Sequence, residues 1–293
     1  MPPQVRPAPG AANPCPARLD AVTNTADPRP LDGDLALALR LADTADAISL
    51  RRFRDRDLHV ETKPDRSPVT EADLAVERAL RDAIAAERPG DGILGEEYGT
   101  EGDTARQWIV DPIDGTANYL RGVPVWGTLI ALAVDGAPRV GVVSSPALGR
   151  RWWATTGGGA WTTDAPGAQP RPLRVSGVAD LEHASLSFQS IAQWDQAGYL
   201  DRLVDLTRRV WRDRAYGDMW SYMLLAEGVL DAVAEFDVKT YDLAALIPIV
   251  EEAGGTFTSV DGTPGPGNGS SLASNGLLHP ALLDALSGGP AVR

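Results

Sequence analysis

Cysteine is almost missing from this chain: Cys15 is the only one in 293 residues. No disulfide can form within the chain, which suits a reducing compartment and leads us to expect a cytoplasmic protein. No apolar run approaches the roughly 18 residues that a membrane span requires. Nor does an apolar signal core or lipoprotein-type segment precede Cys15. Positive charge is also scarce, with 27 Lys and Arg against 40 Asp and Glu and a net charge of −13. That balance argues against nucleic acid or an anionic membrane as a partner. An anionic small molecule would need metal to offset the local carboxylates. Apolar residues, by contrast, make up 43% of the chain, enough for one large domain or two small ones. Residues 1–30 are rich in Pro and Ala and read as a dispensable, disordered leader.

The most informative segment is Trp108-Ile109-Val110-Asp111-Pro112-Ile113-Asp114-Gly115-Thr116-Ala117-Asn118. An apolar run, read as a short buried strand over 108–110, stops at two carboxylates three residues apart. Asp111, the Ile113 carbonyl and Asp114 are expected on the turn that follows. Hard oxygens this close together suit Mg²⁺, which keeps waters for substrate oxygens. Gly115 and Thr116 offer backbone N–H groups where a helix can begin, a place for phosphate. The competing reading is a strand end closed by an Asp-Pro turn, with Asp114 as helix N-cap.

Periodicity predicts a helix over 34–53, a strand over 60–63, and a helix from the Thr70 cap to Glu87. Strands are expected at 93–94, 128–134, 139–144 and 151–154, with Asp135-Gly136-Ala137 as a hairpin turn. Gly157-Gly158-Gly159 reads as a turn, because no helix pattern follows. The second half reads as strand 186–188, one helix 194–208, strand 210–212, helix 219–227 and strand 230–236. One helix over 242–253, strands 256–259 and 271–274, and a helix from Pro280 complete it. Asp261-Gly262-Thr263 repeats the D-G-T string among prolines and glycines and reads as a turn. Without a strict βαβ rhythm, this mixture points to an α+β arrangement of stacked layers.

The segment Asp111-Pro-Ile-Asp-Gly-Thr-Ala-Asn resembles the central signature of the inositol monophosphatase family, Mg²⁺-dependent phosphomonoesterases. Further segments match in order: Lys63 to Asp73, Ile93 to Gly99, Tyr241-Asp242, Glu252 to Gly255, and Ser274 to His279. The resemblance covers about Asp34 to Leu283 and implies a layered α/β/α/β/α sandwich of the inositol monophosphatase and fructose-1,6-bisphosphatase type. Residues 31–293 would form one phosphatase domain, with a metal- and phosphate-binding half at 31–185 and a substrate-side half at 186–293. Glu96, Asp111 and the Ile113 carbonyl would hold one Mg²⁺, and Asp111, Asp114 and Asp242 a second. Gly115 and Thr116 would bind phosphate, and Asp73, Thr116 and Glu96 would serve catalysis. Glu97 would stand behind these ligands or hold a third ion; it reads equally well as an exposed acid beside the site. Lys63 would face phosphate or pair with Asp65. The family also implies a homodimer, for which Trp126, Trp152, Trp153 and Trp161 are candidate anchors, although core packing accounts for them more simply.

The alcohol is read elsewhere. Arg212-Asp-Arg214-Ala-Tyr-Gly217-Asp218 resembles the family's substrate-side turn. Inositol-specific members place small or hydroxyl residues after that glycine. Histidinol-phosphate phosphatases of the family place an acid there, as Asp218 does here. They also resemble this chain at 41–46 and 244–248. A carboxylate suits the ammonium of that substrate, with Arg214, Gly217, Glu235 and Asp242 as further substrate contacts. Asp218 could instead cap the helix that follows, and Asp237 reads as a solvated turn. An inositol-1-phosphatase ranks second. A nucleotide 3′-phosphatase or fructose-1,6-bisphosphatase ranks third, for want of a basic cluster beyond Arg212 and Arg214. A catalytically silent binding homologue ranks last, since every expected ligand is present.

Overall fold

Central strands buried on both faces set the architecture. The computed structural model describes residues 31–63 and 67–287; the leader expected over 1–30, and Asp65 as partner for Lys63, lie outside the described residues. Helix α1 (Asp32–Arg52) leads to a small ribbon of β1 (Val60–Thr62) and β2 (Pro68–Thr70). Thr70 then starts α2 (Glu71–Glu87) with a capping box. Its hydroxyl accepts from the Ala72 and Asp73 N–H groups, while the Asp73 carboxylate accepts from the Thr70 N–H. Strands β3 (Gly92–Gly95), β4 (Gly99–Glu101) and β5 (Arg106–Asp114) follow, then α3 (Thr116–Arg121). A meander comes next: β6 (Gly127–Val134), β7 (Ala137–Ser145), β8 (Arg150–Thr155), β9 (Gly159–Thr163) and β10 (Arg171–Pro172). These strands build an eight-stranded sheet in the order β10-β9-β8-β7-β6-β5-β3-β4.

The remainder begins with β11 (Ser185–Ser187), α4 (Ile191–Gln196), α5 (Leu200–Thr207) and β12 (Arg212–Arg214). Helix α6 (Asp218–Ala226), β13 (Ala232–Phe236), α7 (Thr240–Leu243) and α8 (Leu246–Glu252) come next. Then β14 (Thr256–Thr258), β15 (Ser270–Ser274) and α9 (His279–Leu286) complete the elements. A second, five-stranded sheet has the order β12-β11-β13-β15-β14.

Three cores stack these sheets. On β5, Trp108 and Val110 pack against Leu37 and Leu41 of α1 and Leu80 and Ile84 of α2. Ile109, on the opposite face, packs with Met219 and Met223 of α6 and Ile249 of α8. The same core reaches Val233, Phe257 and Ala273 of the second sheet. The far face of that sheet, through Leu186, Ala234 and Leu272, covers Trp194, Leu203 and Leu282 of α4, α5 and α9. Each such side chain contributes roughly 1.5–3 kcal/mol on burial. The layers therefore run α1/α2, sheet, α6/α8, sheet, α4/α5/α9, the α/β/α/β/α order expected. Trp126 and Trp152 are fully buried and Trp153 packs half-buried, as core packing requires, whereas Trp161 is exposed and does not belong to the core.

Several boundaries differ from expectation. Strand β5 runs on to Asp114 instead of stopping at Val110, with a register shift between Asp111 and Asp114 against β6. The acids thus sit on a bulged strand end, anchored where the Thr128 hydroxyl donates to the Pro112 carbonyl at 2.8 Å. The single helix expected over 194–208 is two, divided at Gly198 with φ +79°. The helix over 242–253 is also two, because Pro248 has no N–H to return to Ala244. The strand expected at 210–212 lies at Arg212–Arg214, and β4, β9 and β10 were not foreseen. The hairpin turn is the two residues Asp135-Gly136, both with positive φ.

Candidate active site

Asp111 and Asp114, at the end of β5, meet Asp242 from α7, with one carboxylate oxygen of each within 4.8 Å of the others. Asp111 is buried and its Oδ1 has no hydrogen-bond partner. Burial pushes its pKa well up, and the charges of Glu96, Asp114 and Asp242 push it further. Asp114 is raised likewise by burial, with Asp218 and Asp242 adding to the shift. Burial lifts Asp242 to about 7, even though its carboxylate accepts from the Lys239 N–H at 2.7 Å. Carboxylates crowded out of water in this way are costly when ionised. A divalent cation with hard-oxygen preference resolves that cost, and the orphaned Asp111 oxygen is a free ligand for it. The donor set fits such an ion.

Glu96 stands beside this trio without joining it as closely. Its carboxylate accepts from Lys63 Nζ at 2.7 Å, and the same ammonium donates to Glu97 at 2.8 Å. Lys63 therefore pairs with the two glutamates. Burial lifts Glu97 to about 7, with Lys63 opposing the shift. The turn that presents both acids is held by Glu77, a buried residue the sequence reading overlooked. Glu77 accepts from the N–H groups of Glu97 at 2.7 Å and Tyr98 at 3.1 Å, and from Arg81 Nε at 2.9 Å. Gly95 makes room for it: a Cβ there would stand 1.9 Å from Glu77 Oε1. Only the i, i+4 spacing of Glu77 and Arg81 hinted at this arrangement.

Asp73 and Thr116 come together as the sequence suggested. The Thr116 hydroxyl lies 3.0 Å from the Ile113 carbonyl and 3.3 Å from Asp73 Oδ1, and can donate to one at a time. Burial raises Asp73 to about 6, against the bonds from Thr70. Gly115, with φ +84°, occupies the left-handed region and opens α3.

Next to the acids lies a cleft of about 170 Å³ that Gln189, Gln193, Asp218, Tyr222, Glu235 and Asp242 help to line. Asp218 does not cap α6. Gly217 is the N-cap position, no side chain closes it, and the Met219 N–H donates instead to Asp114 Oδ2 at 2.6 Å. The Asp218 carboxylate turns toward the loop before α3, 3.2 Å from where a Cβ on Gly115 would lie. Asn118 and Gln189, both unforeseen, hold it. Glu235 is buried in the cleft wall. Its Oε2 accepts from the Tyr222 hydroxyl at 2.9 Å, its Oε1 is unpartnered, and burial lifts it to about 8. Arg214 does not line the cleft; it is exposed and donates to the Asp213 carbonyl at 2.6 Å. Asp237 is exposed and pairs with Lys239 at 2.7 Å. No helix among the described residues is long and apolar enough to cross a membrane.

Comparison with known proteins identifies the family. The model of the inositol monophosphatase family matches residues 31–289. Histidinol-phosphatase of Mycobacterium tuberculosis is 56% identical over 87% of this chain and 98% of its own length. That of Streptomyces coelicolor is 53% identical over 87% and 97%. Among solved structures, the extragenic suppressor protein suhB of Bartonella henselae superposes with a TM-score of 0.80 at 28% identity, covering 88% of this chain and 99% of that one. An inositol monophosphatase from Zymomonas mobilis gives 0.76 at 35% identity, covering 88% and 99%. With the family model spanning residues 31–289 and relatives more than half identical over most of the chain, this protein belongs to the inositol monophosphatase family.

Proposed function

We propose that this phosphoric monoester hydrolase cleaves L-histidinol phosphate to L-histidinol and phosphate, with Mg²⁺ as its metal. The observation that carries the substrate assignment is the Asp218 carboxylate, turned away from its helix and toward the loop before α3. Glu235 adds a second buried acid, and no Lys, Arg or His lines the cleft among the described residues. Asp114 and Asp242 are committed to metal in this reading. Asp218 and Glu235 then remain to meet a cationic alcohol through charge-assisted hydrogen bonds. A neutral polyol would leave the Asp218 charge unbalanced. The names of the two relatives at 56% and 53% identity support the same assignment.

Asp111, Asp114, Asp242, Glu96 and the Ile113 carbonyl are the groups to hold two ions, with Glu97 the candidate for a third. Bound there, Mg²⁺ supplies charge neutralisation for the phosphoryl group and acidifies water. The chain's own contribution is positional. Gly115 and Thr116 present N–H groups to phosphate at the start of α3. The Thr116 hydroxyl, donating to Asp73, accepts a hydrogen bond from the attacking water and relays its proton. Asp73, raised to about 6 by burial, is matched to that task near neutral pH. The oxygen of water bonds to phosphorus as the bond from phosphorus to the ester oxygen breaks, and that oxygen takes a proton from solvent to leave as the alcohol. A cytoplasmic homodimer remains our expectation from the family and the lone Cys15.

Phosphate release from L-histidinol phosphate and from inositol 1-phosphate, measured with Mg²⁺ on one preparation, tests the proposal. The expected outcome is a kcat/KM at least about a hundredfold higher for the amino alcohol ester, since an unpaired buried charge penalises the neutral one. Equal or reversed values would refute it.

A further inference from the structure

Three residues beside the cleft hold backbone conformations that side chains seldom adopt; one, Asp237 (φ +58°), lies on an exposed turn, and the other two face each other. Gln189, just beyond β11, has φ +52°, and Asp218, at the start of α6, has φ +49°. Left-handed geometry outside glycine is unfavourable and persists where the surroundings over-determine it, commonly at functional sites. Here the two residues grip each other. The Asp218 N–H donates to Gln189 Oε1 at 2.8 Å, and Gln189 Nε2 lies 3.5 Å from Asp218 Oδ1. From the other side Asn118, on α3, donates to Asp218 Oδ2 at 2.8 Å and to the Val125 carbonyl at 2.8 Å. One carboxylate, at the start of α6, is thus tied to two other parts of the fold: the end of β11 through Gln189 and α3 through Asn118.

The chemistry of the tie matters as much as its geometry. An arginine or lysine would also fix a carboxylate, but it would cancel the charge. Two neutral amides orient the group and leave its charge for something else. Each carboxylate oxygen offers two acceptor directions, so the clamp still leaves acceptor capacity facing the cleft. We propose that Gln189 and Asn118 are positioning residues that fix the Asp218 carboxylate, charge intact, against the ammonium of the substrate and so set the preference for cationic over neutral phosphate esters. This rests on the reading of Asp218 given above.

Gln189→Gly is the informative variant, because relief of the left-handed backbone offsets the bonds its side chain gives up. Its melting temperature should stay within a few degrees of that of the parent. Its preference for L-histidinol phosphate over inositol 1-phosphate should fall by about tenfold, the scale of a lost hydrogen bond to a charged group. KM for the cationic ester should carry most of the loss. Gln189→Glu keeps the acceptor for the Asp218 N–H but replaces the donor by a second acceptor, and should lose the preference as well. If both esters lose equally in Gln189→Gly, the residue is merely structural and the proposal fails. Full preference retained in either variant also overturns it. Asp218→Asn, run on the same pair of esters, separates the two layers. An unchanged ratio there removes the reading of Asp218 itself. A collapsed ratio in Asp218→Asn, with an intact one in Gln189→Gly, removes only the clamp.

Discussion

At Asp111 a carboxylate is buried with one oxygen unpartnered and other acids close by. Nothing in the packing of β5 asks for an acid there, since Val110 before it and Ile113 after it are buried hydrophobics. The charge is costly to the metal-free fold, and the proposed ligation of metal gives it a use. Asp111→Asn and Asp242→Asn should therefore each lower kcat by at least roughly a hundredfold, the scale of removing one preorganised charge-stabilising group. Neither should lower the melting temperature of the EDTA-treated protein, because each removes repulsion. Phosphate release and thermal unfolding on the same samples check both halves. Normal turnover by either purified variant would break the metal assignment. That Asp111 and Asp114 stand together was legible in the sequence because both acids are neighbours in one short string. Asn118 and Gln189 were not, because the bond that makes each matter reaches Asp218 from 100 and 29 positions away. An amide carries no signal until its partner is known.

At the level of elements, the beginning of α2 serves fold and site together. Asp73 closes the capping box of that helix through Oδ2 and faces the Thr116 hydroxyl through Oδ1. The cap reading and the catalytic reading of Asp73 are thus compatible, one per oxygen. Thr70→Ala removes the hydroxyl that accepts from Ala72 and Asp73 and that donates to the Asp73 carboxylate. The expected cost is about 1–2 kcal/mol, the usual value of an N-cap threonine, read as a lower urea midpoint at unchanged slope. Turnover should fall beyond what the lost stability explains, since Asp73 loses one of its holds. The capping string was readable from sequence alone because its spacing is fixed by helix geometry. The division of 194–208 at Gly198 and of 242–253 before Pro248 was harder to read. A continuous apolar period masked both breaks, and tertiary packing decided where each helix stopped.

Across the whole molecule, the site is a concentration of acid in a protein already acidic. Asp73, Asp242 and Glu235 are raised by burial to about 6, 7 and 8. Unfolding returns each to the ordinary carboxylate range near 4. Between those values the native state holds more protons than the unfolded chain, so the stability of the metal-free protein must fall as pH rises. At low pH these groups are neutral in the fold and cost little; above their native values they are charged, and the penalty is complete. The opposite slope would hold if they were stabilised by ion pairs. Urea unfolding of EDTA-treated protein from about pH 5 to about pH 8 should show this decline. Excess Mg²⁺ should reverse it, because an ion that binds only the folded, ionised cluster stabilises it by mass action and more strongly as protons leave. A metal-free protein that gains stability over this range would mean that the buried acids are paired in solution, and would remove the physical reason for placing metal among them.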